Sequence, residues 1–151
     1  MTTRTGAALD ALEVAINAAA SISLPALERN RTLDDAFSAL DGGALAYLNM
    51  VDGDVATLET QLGGEEPYEL SQSATFEWFV KADTEADLRA AFEAGLLALD
   101  DALDADRTLG GVVDNAEITG LRRDNLATEG ISGLRAAEID VVMTLTSDRP
   151  F

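Results

Sequence analysis

The sequence has no cysteine and no histidine. That absence removes disulfides, thiolate metal sites, cysteine nucleophiles and every imidazole general base. A Ser–His–Asp arrangement therefore cannot be built within one chain. Basic charge is also scarce: ten Lys and Arg stand against 28 Asp and Glu, and Lys81 is the only lysine. The net charge of −18 repels nucleic acid at long range and leaves no basic footprint for a phosphate backbone. No apolar run approaches the ~20 residues that a membrane span needs. The first six residues lack the positive-then-apolar pattern of a signal peptide. The expectation is a soluble protein without a membrane partner. Among enzymes, only a carboxylate-based or Mg²⁺-dependent one stays open.

What is present is enough for one ordinary core. The 151 residues are one domain's worth, 47% of them hydrophobic. The pattern predicts an α+β fold: a mainly antiparallel sheet packed on one side by two helices, forming a single domain over residues 1–151. A first helix is expected from Thr5 to about Ala20, with Leu9, Leu12 and Ile16 on one face. Leu24 to Gly43 reads as irregular and partly ordered, with a helical turn near Asp34 to Leu40. Two β-favouring runs flank Asp52-Gly53, which predicts a hairpin turn there. The alternative use of Asp52 and Asp54 as calcium ligands lacks the later ligands of the loop pattern. Gly63 to Ser73 reads as a polar loop around Pro67.

A strand follows through "ATFEWFVKA". Phe76, Trp78 and Val80 share one face of it. Phe79 stands among Thr75, Glu77 and Lys81 on the other, which predicts an exposed aromatic and an interface candidate. The second helix is the clearest element. Thr84 is its N-cap, Asp87 completes a box-like start, and Leu88, Phe92, Leu96, Leu99 and Leu103 form a stripe. Two strands close the chain. The second of them places Ala137, Ile139, Val141, Met143 and Leu145 on its core face.

Between helix and strand lies "DADRTLGG", Asp104 to Gly111. Gly110 and Gly111 permit a chain reversal. Arg107 either braces the turn or reaches an adjacent subunit, the brace being slightly favoured. Arg122 and Arg123 carry the same two options: a solvated strand edge, or cationic partners for acids on a neighbour. No residue set suggests a catalytic centre, a cofactor site or a metal site.

"ALDDALDADRTLGGVVDNAEITG" followed by "GLRAAEIDVVMTLTSDRPF" resembles the tail terminator proteins of long-tailed bacteriophages and phage-like gene transfer agents. "LPALERNRTL" and "NMVDGD" fit more loosely, and the resemblance spans most of residues 24 to 151. It implies a structural protein, a homo-oligomer forming a ring that is usually hexameric. Such a ring binds the end of the tail tube protein, stops elongation and offers the surface for the head–tail connector. DNA passes through its lumen without specific binding. It implies a place in the tail of the particle, after assembly in the host cytoplasm. The alternatives are a neck or head-completion protein, and the carboxylate or Mg²⁺ enzyme.

Overall fold

The computed structural model describes residues 2–20, 23–59, 67–123 and 133–151. Its elements run α1 (Arg4–Ala18), β1 (Leu27–Arg29), α2 (Leu33–Asp41), β2 (Ala46–Glu59), β3 (Tyr68–Lys81), α3 (Glu85–Ala105), β4 (Asn115–Arg123) and β5 (Leu134–Ser147). The five strands form one mixed sheet in the order β1-β2-β3-β5-β4. β1 is parallel to β2, and the other pairings are antiparallel. The architecture is α+β with three helices. Among the described residues no helix is long and apolar enough to cross a membrane.

One face of the sheet carries α1 and α3. Alternation along β3 sends Phe76, Trp78 and Val80 to this side, where they meet Leu12 and Ile16 of α1 and Leu88, Phe92, Leu99 and Leu103 of α3 in one buried cluster. β5 adds Ala137, Ile139, Val141, Met143 and Leu145, all buried as their spacing requires. The start of α3 is also as expected. The Thr84 hydroxyl accepts from the Asp87 N–H, satisfying one of the donors that a helix start leaves open. Leu96 is only partly buried, at the margin of the stripe. Gly95 fills the gap in the same face: a Cβ there would stand 2.1 Å from the Trp78 ring, so the indole lies against bare backbone. The Trp78 ring N–H donates to the Phe92 carbonyl at 3.2 Å, which settles the one polar atom this large side chain brings into the core.

Four expectations are corrected. The helices do not all lie on one side, because α2 packs on the opposite face of the sheet. Its Ala36 and Leu40 form a second buried cluster with Tyr47, Phe79 and Ala136. The stretch before Gly43 is thus more ordered than expected: the helical turn expected near Asp34 to Leu40 is present as a nine-residue helix, and β1 precedes it. A reciprocal capping box starts that helix, Thr32 accepting from the Asp35 N–H while the Asp35 carboxylate accepts from the Thr32 N–H. Asp52-Gly53 is not a hairpin turn. β2 continues through it with a register shift between Asp52 and Val55, which makes it a bulge. A Cβ at Gly53 would meet the Ser73 hydroxyl at 2.2 Å, so the glycine serves a close approach to β3 rather than a reversal. Finally, Tyr68 to Ser73 belongs to β3 and not to a loop. Gly63 to Glu66, the rest of that expected loop, lie outside the described residues, as do residues 124–132 of the connection before β5.

Candidate functional site

The Asp104–Gly111 segment folds as a closed, self-bonded turn. Asp106 ends α3 in an extended conformation, and its carboxylate turns back over the loop. One oxygen accepts from the Thr108 hydroxyl at 2.6 Å and the Thr108 N–H at 3.0 Å, and the other accepts from the Gly110 N–H at 2.8 Å. These bonds, the Thr108 hydroxyl first, hold the Asp106 carboxyl below the ordinary carboxylate range. The Thr108 hydroxyl accepts in turn from the Gly111 N–H.

Leu109, Gly110 and Gly111 then follow with φ of 50, 73 and 84°. A left-handed run of this kind is inexpensive for glycine and costly for leucine. Leu109 is nonetheless 6% exposed and belongs to the main core. Burial of its side chain offsets the backbone strain, while no neighbour crowds either glycine. Glycine is therefore required at Gly110 and Gly111 by conformation alone.

Arg107 does what the brace option expects. It donates to Asp104 at 3.0 and 3.2 Å and reaches the Ala116 carbonyl of β4 at 3.5 Å. Arg122 lies on the open sheet face between two β5 carboxylates and donates to both, Glu138 and Asp140. The Arg122 bond holds Asp140 below its ordinary pKa, a Thr75 hydroxyl bond adds to the effect, and burial opposes both. Arg123 points to the helical side. It meets Glu93 at 3.0 Å and lies 5.3 Å from the centre of the Phe92 ring, a cation–π contact.

Two of the four predicted interface residues, Arg122 and Arg123, therefore sit at the end of β4, an outermost strand of the sheet, on opposite faces of it, while Arg107 lies in the turn before that strand and reaches its start. All three retain roughly half their side-chain exposure, at 44, 46 and 47%. Leu121 beside them is 41% exposed. The fourth, Phe79, is corrected. It is fully buried, edge-on to Phe37 at 6.0 Å and Tyr47 at 6.2 Å. It anchors α2 to the sheet and presents nothing to a partner.

An equally ordered cluster gave no signal in the sequence. Arg29 of β1 bonds Asp52 on β2 through two nitrogens, and Asp10 and Glu13 on α1 through a third. Burial acts to raise the Asp52 pKa, but the bonds from Arg29 and Asn30 outweigh it and the net direction is down. Asp52 is thus an ion-pair partner within the fold. Among the described residues no group of three or more Asp and Glu is placed to hold a metal ion. No protein-family model matches the chain, and no curated protein matches it.

Proposed function

We propose that the chain is a tail terminator, a structural protein that closes the end of a tail tube as a ring and offers the surface for head joining. The observation that carries this proposal is the "DRTLGG" turn. The segment on which the family resemblance rests is a self-bonded turn holding half-exposed Arg107, and it leads into β4, outermost among the described strands, which ends in half-exposed Arg122 and Arg123. A head-to-tail contact that uses two different surfaces of one chain closes into a ring when the rotation between copies permits. The net charge of −18 supports a lumen that DNA crosses without adhering. The partners in this proposal are further copies of the chain, the tube protein and the connector.

Deleting the gene from the particle that encodes it tests the assignment. Tails of uncontrolled length without heads are expected in electron micrographs. Tails of normal length that fail only to join heads would instead indicate a neck or head-completion protein. Tight stoichiometric Mg²⁺ binding in calorimetry would favour the carboxylate enzyme.

A further inference from the structure

Seven of the ten basic side chains stand in ion pairs with carboxylates of the chain. In a protein with 28 acids that is the expected state of a cation. Arg4, Lys81 and Arg149 form no such pair among the described residues. Two of these three, Arg4 and Arg149, line one cavity of about 610 Å³, between the start of α1 and the end of β5.

Two hydrogen bonds tie the segments around this cavity, whose lining residues are exposed apart from Ser147. The Arg4 guanidinium donates to the Thr146 carbonyl at 3.3 Å, tying the helix start to the strand end. The Arg149 N–H donates to the hydroxyl of Ser147, which is 5% exposed. The Arg149 side chain is left without a bond among the described residues, beside the exposed Thr2. One acid, Asp148, shares the wall.

We propose that this cavity binds a small phosphate, either inorganic phosphate or the phosphate group of a monoester. Two guanidinium forks supply planar pairs of N–H donors that suit a tetrahedral oxyanion, and their two charges balance a dianion. A polyanion is disfavoured by the field of the whole chain. A small ion is not, because that field is screened over ~8–10 Å. The site does not depend on the terminator proposal, and it can be tested on the isolated chain.

The experiment is a titration of the full chain with inorganic phosphate at constant ionic strength, followed by calorimetry and by NMR shifts of residues lining the cavity. One saturable site is expected. Arg149→Gln and Arg4→Gln should each weaken binding about tenfold or more, as loss of one charge-assisted partner implies. Asp148→Asn should strengthen it by about threefold, since an exposed like charge is removed. Arg31→Gln, at an exposed ion pair elsewhere, should change nothing. If Arg4→Gln disturbs folding by thermal unfolding, Arg149→Gln decides alone. Unchanged binding in Arg149→Gln would overturn the proposal. Acetate binding as tightly as phosphate would overturn the ligand class. Displacement of phosphate by duplex DNA at equal phosphate concentration would overturn the restriction to small ligands.

Discussion

The two faces of the sheet are built differently. The α1–α3 face is apolar over most of its length, with buried Gln72 and Ser147 toward one end, and holds the largest side chain, Trp78, against the bare backbone of Gly95. The opposite face has a buried apolar cluster where α2 sits, over Tyr47, Phe79 and Ala136. Beyond α2 it carries Thr75, Glu77, Glu138 and Asp140, half-buried and bonded across strands or to Arg122. Both faces obey the same alternation along β3 and β5. Alternation therefore tells which residues share a face, while an outside element decides how much of that face leaves water.

The sharpest probe of the first face is Phe92→Ala. Phe92 is 1% exposed and its carbonyl holds the Trp78 ring, so a loss of ~3–5 kcal/mol is expected in denaturant unfolding. A loss below ~1 kcal/mol would mean that this face is not the core. Phe79→Ala tests the second face. Its cluster is smaller, so a loss near the lower end of the same range, ~3 kcal/mol, is expected, with α2 detaching first in hydrogen exchange. A surface aromatic would give no more than ~0.5 kcal/mol, and that result would restore the exposed placement.

The polar ties between elements should cost less and depend on pH. Asp52 and Asp140 are held below the ordinary carboxylate range. Their contribution is complete above the unfolded value, about 4, and is lost as pH falls through the folded values. Asp52→Asn should cost ~1–2 kcal/mol at neutral pH, more than a fully exposed pair because Arg29 keeps only 24% of its side-chain exposure. The gap from the parent protein should narrow in acid. Urea unfolding of both proteins at neutral and acid pH would show it, and a constant gap would remove Asp52 from the titrating set. The smallest effect is expected from Arg107→Ala, ~0–1 kcal/mol, because its pair with Asp104 is half exposed. Particle or ring assembly by that variant should be intact. Failed assembly with unchanged monomer stability would move Arg107 from brace to interface.

How much of this was legible follows from the distance between partners. α3 was legible because its cap, Thr84 to Asp87, and its stripe from Leu88 to Leu103 are local. β5 was legible because its alternation is long. Phe79 was misjudged because its neighbours are Phe37 and Tyr47, on elements far away in the chain. Asp52-Gly53 suits a turn or a bulge equally well, and the choice is made by Ser73 across the sheet. Arg29 gave no sign because its acids lie 16, 19 and 23 residues away, beyond any helical or strand spacing. Of the interface candidates, Arg122 and Arg123 proved to lie on an outermost strand, a placement that appears only once β4 is set at the end of the sheet, while Arg107 stays in its own turn.

The position of β5 has a consequence for synthesis. This strand is the last in sequence, yet it lies between β3 and β4 and pairs with β3 along its length from Leu134 to Ser147. A ribosome that has released every residue up to Arg123 has released β4 with no strand to join, and the apolar side of β3 still lacks the neighbour that completes its wall. The β2–β3 pair and the helices can form early, but the sheet closes only when β5 inserts between two strands already made. Such late, non-local closure is slow and leaves open strand edges exposed meanwhile. A nascent chain stalled before Leu134 should therefore be a preferred client of chaperones, whereas one stalled after Ser147 should already resist proteolysis.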